Sequence, residues 1–206
     1  MNVLEELKGA ETVGITGHIR PDGDCIGSCM GLYNYLKDNC PQLDVTVYLE
    51  TPGSEFHYIR DIDKIQTIPD IKKEYDVFFV LDCSSLDRIE PFHSCFENAK
   101  KTVCIDHHIS NGSFADVNVV DAQASSACEV LYRTLEDDKI SKDTAACIYT
   151  GIVHDTGVFK YSSTSAQTML IAGKMMEKGI DYSDIIDNSF YAKTYIQNQI
   201  LGRALL

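Results

Sequence analysis

Between His18 and Asp24 the chain reads His-Ile-Arg-Pro-Asp-Gly-Asp, which brings one imidazole and two carboxylates into a single turn ahead of a helix-spaced run. Three further segments carry the same kinds of group: Asp82 after Val77-Phe78-Phe79-Val80-Leu81, the triplet Asp106-His107-His108, and Asp155 within Gly151-Ile152-Val153-His154-Asp155-Thr156-Gly157. Each has an ordinary explanation alone. Asp24 can be the N-cap of the following helix with Asp22-Gly23 a surface turn, and Asp82 can cap a helix too. Adjacent histidines in a loop are often solvated, whereas a carboxylate in an apolar segment such as that around Asp155 is costly to bury without compensation. Two divalent cations account for all four segments at once. Carboxylate oxygens and imidazole nitrogens suit Mn²⁺, with Mg²⁺, Co²⁺, Fe²⁺ and Zn²⁺ less favoured. Two such ions about 3.5–4 Å apart bind a phosphate, acidify a water and neutralise a leaving oxygen, which is the chemistry of phosphoester or phosphoanhydride hydrolysis.

Such residues act together only if the fold converges them. β-Branched runs at Thr12 to Thr16, Asp44 to Leu49, Asp76 to Leu81 and Lys101 to Ile105 read as strands. Helical spacing lies between them, clearest at Ile26, Met30, Tyr33 and Leu36 with Pro41 closing the segment. That alternation predicts an α/β fold: a doubly wound, mostly parallel sheet with helices on both faces, followed by a helical C-terminal part. The later helices are expected over Ser125 to Asp137, Lys142 to His154, Ala166 to Lys178 and Asp181 to Phe190, with a further helix over Thr194 to Leu206. His18 follows the first strand, Asp82 the third, and Asp106 the fourth, and ligand crevices of open parallel sheets lie outside the carboxyl ends of the strands.

Composition narrows the substrate. With 206 residues, 44% of them hydrophobic, one core is expected. No segment approaches the roughly 18 apolar residues of a membrane span, and the charged, helix-like start has no signal-peptide core, so a cytoplasmic protein without a membrane partner is expected. The eight cysteines sit at apolar positions without a CxxC pair, as buried reduced thiols do; Cys25 and Cys29, one helical turn apart, leave a shared soft metal as the alternative. A net charge of −13 repels a long nucleic-acid duplex, while a small phosphate compound is accommodated once cations are bound.

In order and wording, the four motifs resemble those of the DHH phosphoesterase superfamily: His18 to Asp24, Asp82 with Cys83-Ser84-Ser85, Asp106-His107-His108, and Asp155-Thr156-Gly157. The resemblance implies that His18 and Asp22 bind one metal, that Asp24, His107 and Asp155 bind the other, and that Asp82 bridges both, with a metal-bridging hydroxide as nucleophile. It also implies that Asp106 fixes an imidazole from behind and that His108 contacts the scissile phosphate or assists the leaving group. Arg88 and Asn111, close behind two motifs, are expected either at phosphate or on the surface. The form His-x-x-Pro-Asp-Gly-Asp and the segment Gln199 to Leu205 are similar to the nanoRNase and 3′-phosphoadenosine-5′-phosphate phosphatase type. Its members degrade short RNA from an end and carry a second domain with a glycine-rich, histidine-containing loop that does not occur here. The expectation is therefore a catalytic domain over residues 1–190, with 191–206 starting a linker helix to a second, DHHA1-type domain absent from this chain. Short oligoribonucleotides or a nucleotide phosphate are the implied substrates. The alternatives are a family II-like pyrophosphatase or exopolyphosphatase, and a truncated metal- and nucleotide-binding domain without turnover.

Overall fold

Every residue of Val77–Leu81 and Thr102–Asp106 is buried, the pattern of strands covered on both faces of a parallel sheet. In the computed structural model, which describes residues 1–205, these are the central strands β3 and β4. With β1 (Thr12–Thr16), β2 (Asp44–Tyr48) and β5 (Val117–Val120) they form one parallel sheet in the order β2-β1-β3-β4-β5. The order reverses between β1 and β3, whose pairing runs from Val13↔Val77 to Thr16↔Val80. A crevice at the carboxyl ends of these two strands follows from that reversal.

Helices α1 (Val3–Glu6), α2 (Gly23–Asn39), α3 (His93–Glu97), α4 (Ala127–Tyr132), α5 (Lys142–Asp155), α6 (Ala166–Glu177), α7 (Tyr182–Ile185) and α8 (Tyr195–Leu205) complete the chain. One face of the sheet carries α2, α4 and α5, whose Ile26, Met30, Leu131, Ile148 and Ile152 pack on Val13, Ile15, Phe79 and Ile105. The other face is closed by α3 and aromatic side chains, among them Tyr48, Tyr75, Phe78, Phe92 and Phe96. Helices α2 and α5 approach closely because Gly27 faces α5; a Cβ there would stand 2.5 Å from the Cys147 carbonyl oxygen. That contact brings the N-terminus of α2 and the C-terminus of α5 to the same end of the sheet.

The α/β, doubly wound reading holds, with differences at its edges. The fifth strand, Val117–Val120, is short, half-exposed and interrupted by Asn118, so no apolar run marks it. The helix expected over 125–137 is only Ala127–Tyr132, because the chain turns at Arg133 and forms a 3₁₀ turn at Asp137–Lys139. The segment expected as one helix over 181–190 divides into α7 and a π-helical stretch, Ile186–Tyr191. Helix at the start of the chain is confined to Val3–Glu6. The helix expected over 194–206 is α8, every residue of which is exposed, Leu206 lying outside the described residues. Among the described residues no helix is long and apolar enough to cross a membrane. All eight cysteines are free thiols, seven buried and Cys40 half-buried.

Candidate metal centre

Asp82 leaves the end of β3 with φ 51°, in the left-handed region that Asp tolerates better than most residues. Such a conformation costs about 1–3 kcal/mol and clusters at functional sites. It turns the side chain into the crevice, where the two carboxylate oxygens face different partners. Oδ2 lies 3.4 Å from His18 Nε2, and Oδ1 lies 3.6 Å from His107 Nε2. Asp82 is 2% exposed and takes no part in capping the turn that follows.

The His18 side is built locally. His18 Nδ1 donates to the Ile19 carbonyl at 2.8 Å, which leaves Nε2 as the ring nitrogen that faces Asp22 and Asp82. Asp22, not Asp24, is the N-cap of α2: its Oδ1 accepts from the amides of Asp24 and Cys25 at 3.0 and 3.1 Å. Its other oxygen, Oδ2, stands 3.7 Å from His18 Nε2, so one carboxylate serves as cap and as prospective ligand. Gly23 is buried, which excludes a free surface turn. The Cys25 sulfur also comes within 4.8 Å of donor atoms of His18 and Asp82. Its thiol donates to the His18 carbonyl, burial pushes it well up, and it is the softer donor, so Asp22 is the better third ligand for a hard cation. Cys29 does not join any such cluster among the described residues.

The His107 side is assembled from three distant segments. His107 Nε2 lies 3.2 Å from Asp155 Oδ2 and 3.9 Å from Asp24 Oδ2. Asp155 is the last residue of α5, where the helix dipole disfavours a negative charge; burial and the neighbouring Asp82 push its carboxyl up to about 6. Asp24 is fully buried, and burial together with Asp82 and Asp155 pushes it up as well. Burial alone would lower the two imidazoles, but facing carboxylates dominate: Asp22 and Asp82 raise His18 to about 11, and Asp82, Asp24 and Asp155 raise His107 to about 9. Burial would raise Asp82, yet His107 and His18 hold it below the usual carboxylate range. Among the described residues no Lys or Arg pairs with Asp22, Asp24, Asp82, Asp106 or Asp155. This surplus of inward-facing carboxylates, with imidazole nitrogens interleaved, fits divalent cations.

Behind the ligands, Asp106 at the end of β4 accepts from His108 Nδ1 on Oδ1 and from Asn111 Nδ2 on Oδ2, both at 2.7 Å. Asn111, expected at phosphate or on the surface, is therefore tied to Asp106 and to the Cys83 carbonyl. Arg88 contributes its carbonyl to the Ile19 amide at 2.7 Å, while its half-buried side chain makes no hydrogen bond or ion pair among the described residues. Two surface cavities, of about 600 and 380 Å³, are lined by other residues, including Thr51, His57 and Asp63 in one and Glu55, Ser189 and Lys193 in the other. Neither cavity includes the crevice, which is identified by its chemistry. Residues that no motif had flagged complete it: the amides of Ala127 and Cys128 hold Asp24, and only the Ser126-x-x-Glu129 capping pattern marks that turn in the sequence.

An open parallel sheet with clustered carboxylates and imidazoles at its switch point defines a metal-binding α/β domain. Residues 12–152 match the model of the DHH family, N-terminal domain, and the chain belongs to that family. It is 30% identical over 187 residues to the probable bifunctional oligoribonuclease and PAP phosphatase NrnA of Streptococcus mutans, covering 88% of this chain and 57% of that protein. The bifunctional oligoribonuclease and PAP phosphatase NrnA of Bacillus subtilis is 26% identical, with 89% of this chain and 58% of that protein covered. The chain thus spans somewhat over half the length of these curated relatives. The crystal structure of an exopolyphosphatase-related protein from Bacteroides fragilis superposes with a TM-score of 0.87 at 28% identity, over 98% of this chain and 63% of the other.

Proposed function

We propose that this chain is the metal-dependent catalytic half of a phosphoesterase that hydrolyses short oligoribonucleotides and 3′-phosphoadenosine-5′-phosphate. The observation that carries the reading is the division of Asp82, one oxygen toward His18 and the other toward His107. His18, Asp22 and Asp82 would hold one divalent cation; Asp24, His107, Asp155 and Asp82 would hold the other, with Mn²⁺ the best match to the donor set. Bound there, the pair supplies charge neutralisation at a phosphate and a water acidic enough to attack at neutral pH. The chain's own residues orient and protonate. Asp106 holds His108 through Nδ1 and raises it toward the charged form, leaving Nε2 to donate to a leaving oxygen. Asn111 keeps Asp106 in place, and Arg88, whose side chain has no partner among the described residues, is available to a phosphate.

The names of the Streptococcus and Bacillus relatives support the nucleotide substrate. We read residues 1–190 as the catalytic unit and 191–206 as the start of a linker helix to a second domain; the exposed Ile196, Ile200 and Leu205 support a covering partner for α8. Free thiols throughout suit the cytoplasm. The name of the Bacteroides protein supports a second reading, hydrolysis of polyphosphate, and the same phosphoanhydride chemistry would extend to pyrophosphate. The two separate in an assay of Mn²⁺-dependent phosphate or nucleotide release from a 5′-labelled RNA dinucleotide, 3′-phosphoadenosine-5′-phosphate and pyrophosphate, with and without chelator. Chelator-sensitive cleavage of the first two is expected; turnover of pyrophosphate alone selects the second reading.

A further inference from the structure

Asp24 is the most enclosed of the prospective ligands, and main chain holds it. The Ala127 amide donates to Oδ2 at 2.6 Å and the Cys128 amide to Oδ1 at 3.0 Å. Gly151 closes the space beside it, because a Cβ there would stand 2.5 Å from Oδ1 and 2.3 Å from Cys128 Sγ. The carboxylate therefore points wherever the first residues of α4 allow. A helix of six residues has little stability of its own with which to fix its start.

Glu129 supplies what α4 lacks. It is fully buried, and its Oε2 accepts three hydrogen bonds: from the Ser125 amide at 3.1 Å, the Ser125 hydroxyl at 2.6 Å and the Thr168 hydroxyl at 2.8 Å. Its Oε1 pairs with Arg133, and its amide donates to the Ser126 hydroxyl at 3.0 Å. Thr168 is itself held in the capping box that opens α6 with Ser165. The turn from Ser125 to Cys128 is thus pinned from both ends, against α6 on one side and Asp24 on the other. His18, Asp22 and Asp82 make no hydrogen bond to this network among the described residues.

We infer that Glu129 is a positioning residue for the Asp24 side of the centre: through Ser125 and Thr168 it holds the Ala127 and Cys128 amides where they orient the Asp24 carboxylate. The role rests on the metal-binding function proposed above. Its mark is selectivity, since the His107-side ion depends on Glu129 and the His18-side ion does not.

Calorimetric titration of the full chain with Mn²⁺, paired with electron paramagnetic resonance, tests it. The wild type is expected to take up two ions with a spin-coupled signal. Glu129→Ala should weaken one ion by about 10–100-fold, the range for supporting groups around metal ligands, and convert the coupled signal to that of an isolated ion. Glu129→Gln, which keeps an acceptor oxygen for Ser125 and Thr168, should restore the coupled signal. Thr168→Val, which removes one of the three donors to Glu129 Oε2 together with the acceptor of the Ser165 amide at the start of α6, should weaken the same ion by a smaller factor, and it carries the comparison if Glu129→Ala does not fold. Two unchanged ions in folded Glu129→Ala, or in Thr168→Val when Glu129→Ala does not fold, overturn the inference. So does equal weakening of both ions, or a glutamine variant no better than alanine, because each describes a merely structural carboxylate. A wild type that binds no Mn²⁺ overturns the metal-binding function itself, a result distinct from any of these.

Discussion

The two sides of the centre are built in opposite ways. His18 and Asp22 belong to one turn, four residues apart, and Asp22 keeps 58% of its side chain exposed. Asp24, His107 and Asp155 come from α2, the loop after β4 and the end of α5, and Asp24 has no exposure at all. A cation on the first side needs little more than the turn and the end of β3; one on the second needs the α2–α5 packing, the start of α4 and the sheet register together. Asp82 stands between the two.

The largest effect is expected where the sides meet. Asp82→Asn tolerates the left-handed backbone and keeps the side chain's shape but removes the shared charge. Calorimetry should find both ions lost, and hydrolysis should fall to the buffer background while the thermal melt stays cooperative. Near-normal turnover in this variant would refute the shared role.

Separate lesions should split the comparison. Asp22→Asn is expected to remove the His18-side ion yet change stability by no more than about 0.5 kcal/mol, because Asn and Asp cap helices almost equally well. Asp155→Asn should remove the other ion and, by relieving a buried charge at a helix C-terminus, raise the melting temperature of the metal-free chain. Loss of the same ion in both variants would mean a single site.

The smallest expected effect is a difference in proton coupling. Without metal, the facing carboxylates push His18 up to about 11 and His107 up to about 9, so at neutral pH each ion is expected to displace an imidazole proton. Apparent Mn²⁺ affinity should therefore rise with pH, about tenfold per unit for each proton displaced, from pH 6.5 to 8.5. Asp24 and Asp155 are also pushed up, Asp155 to about 6, so further protons compete on the His107 side alone as the pH falls, and its affinity should fall more steeply there. Calorimetry in two buffers of different ionisation enthalpy counts those protons directly. Flat affinities across the range would show that the imidazoles are neutral before the ions arrive.

Legibility in the sequence followed the same division. The His18 to Asp24 turn, the apolar runs that become β1, β3 and β4, and the placement of Asp82 and Asp106 at their ends are local patterns, and the structure repeats them within a residue. Strand β5 escaped because an edge strand half-exposed to solvent has no continuous apolar run. The sequence suggested Asp24 as a cap and Asp22-Gly23 as a surface turn, because both carboxylates have a capping side chain's chemistry; hydrogen-bond geometry makes Asp22 the cap. Asn111 looked equally suited to phosphate or solvent, and only its 2.7 Å contact with Asp106 shows what holds it.

By itself, then, the sequence determined which groups were available and that they stood at strand ends, since side-chain type and strand periodicity are properties of short segments. Only the tertiary structure decided which oxygen of Asp82 faces which imidazole, and that Asp24 takes its direction from amides more than a hundred residues away. Orientation at that level comes from packing, which is why Gly151, pressed against Asp24, and the buried Glu129, bonded to Ser125, carry no local signal of it.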